Sequence, residues 1–351
     1  MNLNKLIASF AIIGSLTTFG CNKDSILNKS EVSVSEELQD NDATLFEGKR
    51  TCAAHEYNEV LMAKDPSFRK NQQQIEEFTT RFVAENRSLQ SRAVITIPVV
   101  VHVVYSTAAQ NISDAIIQSQ IDVLNADFRK LNADINKVPA AFAGLAADYE
   151  INFCLAKRTP TGLATTGIER KLTKKTSFST NDAVKSSKQG GLDAWDATKY
   201  LNLWSCNMGN GILGYAQFPG GNVATDGVVI LYSAFGYNSP AVPYNLGRTA
   251  THEVGHWLNL RHIWGDASCG NDLIADTPTQ QTANYGCPAF PHATCSNAGD
   301  MSMNYMDYTD DACMYMFSTG QKARSQSLFA AGGARVSLLT SDGCTAPIPP
   351  R

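Results

Sequence analysis

The sequence predicts an α/β chain: a twisted mixed sheet packed against helices, preceded by a small, mostly helical segment. Three observations carry this. Residues 93–105, AVITIPVVVHVVY, are an almost unbroken β-branched run, the pattern of a central strand. Residues 113–132 place Ile117, Ile121, Leu124 and Phe128 on one helical face, with Ser113 or Asp114 near the cap. Ahead of both, residues 55–64 and 71–86 carry apolar side chains at helical intervals, and Asp65-Pro66 breaks the two helices apart.

Further strands are expected at 151–156, INFCLA, at 199–207, KYLNLWSCN, and at 227–235, GVVILYSAF. The stretch 211–220, GILGYAQFPG, reads either as an edge strand able to pair with an extended peptide or as a plain surface hairpin. A helix bearing a histidine cluster follows, so the site is expected at a helix end. No internal repeat is visible. The expected organisation is a signal over 1–20, a tether and helical segment over 21–91, the main domain over 92–345 and a tail over 346–351.

Composition narrows the function. With 43 % hydrophobic and 18 % charged residues the chain can bury a core, and a net charge of −4 with scattered Lys and Arg excludes nucleic acid as the expected partner. Lys5 and the apolar run 6–20 read as an export signal too short to span a bilayer comfortably. It ends in Gly20-Cys21, which resembles a bacterial lipoprotein signal with Cys21 as the lipidated residue; a plain secretory signal is the alternative. Either way the protein is expected outside the cytosol, extracellular or at the cell surface, with membrane contact only through that anchor. In an oxidising compartment disulfides persist. Four of the nine cysteines, Cys269, Cys287, Cys295 and Cys313, follow the histidines closely, and spacing alone allows three pairings. Cys154 and Cys206, on separate predicted strands, are a possible further pair, which leaves Cys344 unassigned.

The chemistry lies in HEVGHWLNLRH, residues 252–262. His252 and His256 are four apart, so a helix puts both imidazoles on one face, half of a tetrahedral zinc site. Glu253 sits at the same edge, placed to act as a general base on a metal-bound water rather than to ligate. The chain has only six histidines and three fall within these eleven residues. For His262 to join the other two, the helix must stop and reverse. That requires positive φ near Asn259, which asparagine tolerates second only to glycine, at about 1 kcal/mol. If Asn259 stayed helical instead, His262 would be a surface histidine.

These residues resemble the H-E-x-x-H-x-x-G-x-x-H pattern of the metzincin zinc peptidases, with Asn259 in place of the glycine. SMNYMDYTDDACMYMF, 302–317, resembles their methionine turn. With GNDLIADTP and NYMDYTDDACM, residues from about 93 to 335 are most similar to the pappalysin branch, peptidase family M43. The resemblance implies a metzincin-like domain in which His252, His256 and His262 bind one catalytic Zn2+ and Glu253 activates water. Met306 would lie beneath the metal, and Tyr308 would steady the tetrahedral intermediate. It implies disulfides Cys269–Cys295 and Cys287–Cys313, and structural Ca2+ drawn from Asp266, Asp272, Asp276 and Thr277, a set without EF-hand spacing.

Peptides or proteins are the expected substrates, and a monomer the expected state. Among Asp307, Asp310 and Asp311, Asp311 is the first candidate to select Arg or Lys after the scissile bond; solvation or metal binding is the alternative for all three. Cys52, in GKRTCAAHEYNE, resembles the cysteine switch of latent metzincins, with Ala53 where glycine is frequent. Its thiolate would fill the open zinc position while Arg50 pairs with a cleft carboxylate. The alternative is a disulfide, for instance with Cys344. Activation would remove residues up to about 91, and the Ser91-Arg92 bond suits self-processing. No G-x-S-x-G elbow is present, so serine chemistry is rejected, and exported cysteines are more plausibly structural than nucleophilic. The rival readings are a zinc-stabilised, non-catalytic surface module of adhesin type, which would have no use for Glu253, and a hydrolase of non-peptide substrates.

Overall fold

The computed structural model describes residues 48–85 and 93–347. The export signal, Cys21 and the Ser91-Arg92 bond lie outside the described residues. Two helices come first, α1 (Ala54–Lys64) and α2 (Pro66–Ala84). Asp65 separates them: its carboxylate accepts from Ser67 N at the start of α2, where Pro66 has no N–H to lose. Both helices belong to one compact unit with the rest of the described residues.

Strand β1 (Ile95–Tyr105) is the spine of the sheet. It pairs on one side with β2 (Ile151–Leu155) and then β3 (Ile168–Leu172), and on the other with β4 (Leu201–Cys206), all in parallel. A strand flanked on both sides and covered on both faces is mostly apolar, and nearly every β1 side chain is buried. β4 continues in parallel to β6 (Val228–Leu231), and the short β5 (Gly214–Ala216) closes the order β2-β1-β4-β6-β5 as an antiparallel edge. The stretch 211–220 therefore does hold an edge strand.

Helix α3 (Asp114–Phe128) starts where Ser113 caps it and buries Ile117, Ile121, Leu124 and Phe128, the predicted face. A single turn, α4 (Ala140–Ala143), follows. Helix α5 (Arg248–Trp257) is buried along its whole length and carries the histidine pair. Helix α6 (Thr319–Gln326) opens with a capping box between Ser318 and Gln321. Among the described residues, no helix is long and apolar enough to cross a membrane.

Among the described residues three disulfides are present: Cys269–Cys295, Cys287–Cys313 and Cys154–Cys344. The last corrects the expected Cys154–Cys206 pair. β2 and β4 lie on opposite sides of β1, and Cys154 is level with Pro98 whereas Cys206 lies beyond the level of Val103. The two sulfurs are thus two strands and several residues apart, and Cys206 is a free buried thiol. Cys52 is also free, which removes a Cys52–Cys344 bridge. Because Cys154–Cys344 closes 190 residues of chain, replacing both cysteines with serine should lower unfolding stability by about 2–5 kcal/mol, read as a fall in the denaturant midpoint.

Candidate active site

Helix α5 projects His252 and His256 from one face, one turn apart. The helix ends at Trp257, and Asn259 adopts φ 71°, the left-handed conformation that reverses the chain and returns His262 to the pair. The turn is fastened from both sides: Leu260 N donates to Gly255 O at 3.0 Å, and Arg324 Nε donates to Asn259 O at 2.7 Å.

Each ring is fixed through its outer nitrogen. Nδ1 of His252 donates to Tyr305 O at 2.7 Å and Nδ1 of His256 to Leu260 O at 2.8 Å, while Nδ1 of His262 faces the Asp266 carboxylate. Carbonyl and carboxylate acceptors place the proton on Nδ1, so each Nε2 presents a lone pair. The Nε2 of His256 lies 3.1 Å from both other Nε2 atoms. Three acceptors at that spacing have no proton to share. Nitrogens ~2.0–2.1 Å from a tetrahedral zinc stand ~3.3 Å apart, which is the arrangement seen. Burial and the neighbouring imidazoles push His252 far below its usual range, and burial brings His256 down to about 3, so both rings stay neutral and able to ligate. The donor set therefore fits zinc.

Cys52 completes the group. Its Sγ and the three histidine nitrogens all lie within 4.8 Å of one another, the only such cluster of His, Cys, Asp and Glu among the described residues. Glu253 is buried beside it, and its Oε2 has no hydrogen-bond partner. Burial lifts its carboxyl to about 8, held back by a hydrogen bond with Cys52 and the charge of Arg50.

Two glycines make room. A Cβ on Gly255 would stand 2.4 Å from Met306 Sδ, so the helix rests directly on the methionine; a Cβ on Gly214 would meet Glu253 Cγ at 2.8 Å. Tyr308 accepts from Cys52 N at 3.2 Å and donates to Cys52 O at 3.0 Å. Of the three downstream aspartates, Asp311 is the one that bonds the segment carrying Cys52. One of its oxygens takes the Arg50 guanidinium, and the other accepts from Leu246 N at 2.8 Å and Arg248 N at 3.1 Å. Asp307 is sealed among Gln280, Asn284 and Tyr308 N, where burial lifts it to about 6.

The expected calcium set is not assembled. Asp266 serves His262, and Asp276 caps α6 by accepting from Ser318 Oγ, Thr319 Oγ1 and Gly320 N. Asp272 and Thr277 meet only each other and the turn around Ile274. Tyr305, Leu260 and Asp266 as partners of the rings are not legible in the sequence, apart from the carboxylate four residues after His262.

Residues 185–330 match the Peptidase_M43 family, described as pregnancy-associated plasma protein-A. An extracellular metalloprotease of Pyricularia oryzae is 34 % identical over 258 residues, covering 70 % of this chain and 80 % of its own. One of Verticillium alfalfae is 31 % identical over 260 residues, again 70 % and 80 %. The chain belongs to the M43 peptidases. Solved structures agree. Mature mirolysin of Tannerella forsythia in complex with a cleaved peptide is 54 % identical, covers 71 % of this chain and 97 % of its own, and superposes with a TM-score of 0.69. A promirolysin variant from the same organism is 49 % identical, covers 86 % and 100 %, and reaches 0.77. This M43 chain is a zinc metalloendopeptidase with a metzincin-like α/β domain.

Proposed function

We propose that His252, His256 and His262 hold the catalytic zinc and that Glu253 is the general base of an exported endopeptidase made in latent form. The observation that carries this is the convergence of three unprotonated Nε2 atoms beside a buried carboxylate oxygen with no partner. A binding module has no need of that carboxylate. Zinc, when bound, supplies Lewis acidity that brings a water's pKa toward 7. Glu253 takes the water's proton on Oε2 and returns it to the leaving amine nitrogen. Tyr308, once parted from Cys52, has its hydroxyl free to donate to the developing oxyanion of the scissile carbonyl. Met306 supports the helix from below.

Asp311 is the proposed selector of Arg or Lys after the scissile bond, and its pairing with Arg50 supports that reading, because a guanidinium already lies against it. Cys52 is the proposed zinc-blocking ligand of the latent form. The larger share of this chain covered by promirolysin than by mature mirolysin supports a removable segment. Export is supported by the extracellular relatives, and lipidation of Cys21 and cleavage at Ser91-Arg92 remain part of the proposal. Calcium is proposed at Asp272 and Thr277, where the Asp272 carboxylate, Thr277 Oγ1 and Ile274 O bring oxygens together on one turn. A calcium-dependent rise in Tm that disappears in Asp272→Asn would support it, and no rise would sink it.

Cut-site profiling tests the main reading. The full chain, activated by releasing the segment before β1 and supplied with zinc, should cleave a proteome-derived peptide mixture before Arg or Lys. Cuts without that preference would remove Asp311's role and leave the peptidase; no cuts from folded, zinc-loaded protein would remove both.

A further inference from the structure

The segment carrying Arg50 and Cys52 goes on to fill a second pocket. It runs parallel to β5, with Leu213 N donating to Thr51 O at 2.9 Å and Ala53 N donating to Gly214 O at 3.0 Å. Asn58 then takes the place of a strand. Its Nδ2 donates to Ala216 O at 2.9 Å, and its Oδ1 accepts from Phe218 N at 3.0 Å. Tyr57, beside it, is buried on the sheet face opposite α5, where Tyr215 also points; the two rings lie 4.8 Å apart.

The floor of this pocket is polar and built. The Tyr57 hydroxyl donates to the Asp182 carboxylate at 2.8 Å and accepts from Lys185 Nζ at 3.2 Å. Lys185 is 3 % exposed and Gln217 fully buried. Lys185 is held by Asp182 at 3.0 Å and by Thr225 O at 2.8 Å, both independent of Tyr57, and its ammonium also lies over the Tyr215 ring. When Tyr57 leaves, a neutral ion pair with one acceptor and one donor position remains beneath an aromatic wall. That chemistry fits a phenol. Phenylalanine would leave unfilled the two positions that the Tyr57 hydroxyl takes, although Asp182 keeps Lys185 and the Tyr215 hydroxyl and Lys185 keeps Thr225 O, and a charged side chain would disturb the ion pair.

Direction follows from Arg50. In this segment the residue at Asp311 precedes the residue at the histidines. A substrate with Arg or Lys after its scissile bond needs the opposite order, and so must run antiparallel to β5. The residues before its scissile bond then lie along Ala216 and Phe218, and those facing the same side as Tyr215 meet this pocket. From Cys52 to Tyr57 is one extended step and about one helical turn, ~9 Å, which an extended chain covers in about three residues.

We infer that, once residues 48–85 are displaced, the pocket formed by Asp182, Lys185, Tyr215 and Gln217 is a substrate subsite for tyrosine, about three residues before the scissile bond. The inference rests on the proposed release of this segment and on Asp311 reading the residue after the cut. The test is cut-site profiling of the activated full chain, followed by paired fluorogenic peptides with Tyr or Phe at that position. Tyr should exceed Phe in kcat/KM by about tenfold, the discrimination of one buried hydrogen bond. Asp182→Ala should erase this difference and leave the preference for Arg or Lys after the cut; Lys185→Met gives the same reading if the first variant does not fold. Equal rates for Tyr and Phe in the wild type, with the preference after the cut intact, overturn the subsite. Loss of any preference after the cut overturns the Asp311 reading and with it the orientation on which the subsite depends.

Discussion

Glu253→Gln is expected to lower kcat/KM on a peptide substrate by about 10³-fold, within the range for loss of a general acid–base group, while leaving zinc content and Tm nearly unchanged. The substitution keeps the shape of the side chain. None of the three imidazoles hydrogen-bonds to Glu253: their Nδ1 partners are Tyr305 O, Leu260 O and the Asp266 carboxylate. The metal site should therefore survive intact. What is lost is a group that can accept a proton beside the open position. The orphaned Oε2 is the atom concerned, and the space for its side chain exists only because position 214 is glycine. Steady-state rates on the activated enzyme, with zinc measured by atomic absorption, decide the matter. A zinc-loaded variant retaining more than a tenth of wild-type activity would sink the assignment of Glu253 as the base.

Much of this site was legible because its local geometry is written in short spacings. A spacing of four from His252 to His256 fixes one helix face, and Asn259 takes the φ of 71° that the return of His262 requires. The β-branched run became the central strand for an equally local reason, since burial on both faces favours apolar side chains at nearly every position; His102 is admitted because Glu169 and Asn202 take both its ring nitrogens. What stayed hidden depends on distant partners. Strand β3, IERKL, is polar and has no buried side chain, and is a strand only because the second half of β1 offers it an edge. The partner of Cys154 lies 190 residues away, beyond the reach of any spacing argument. Asp266 looked like a calcium ligand because carboxylates in loops often are; the fold turns it onto His262 instead. Nothing local in the helical stretch 55–64 marks Asn58 or Tyr57; the edge of β5 and Asp182, both distant in sequence, give them their partners.

Asp311→Asn should move the latent and the active forms in opposite directions. In the full-length chain its carboxylate holds Arg50, and both side chains are buried. Breaking a buried pair by removing one charge costs about 3–5 kcal/mol, because the remaining charge keeps its desolvation penalty. An asparagine can keep its carbonyl toward Leu246 N and Arg248 N, but it then turns an N–H donor toward the guanidinium. The hold on the segment carrying Cys52 is thereby weakened at a point two residues from the thiol. Basal activity of the uncleaved chain should rise by about 10²-fold, the scale of the lost pair. After activation, the same substitution should lower kcat/KM for Arg substrates by a similar factor and narrow the gap between Arg and neutral side chains. Cys52→Ala provides the control, since it should raise basal activity of the uncleaved chain while leaving the activated enzyme, which lacks that residue, unaltered. Fluorogenic peptides with Arg, Lys or Leu after the scissile bond, assayed before and after activation, read both effects. A variant that loses Arg preference without loosening latency would mean that the pair between Arg50 and Asp311 adds little to the hold on the segment. Loosened latency with Arg preference intact would assign Asp311 to the inhibitory contact alone. Only the double change fits a segment that blocks the enzyme by occupying its specificity pocket.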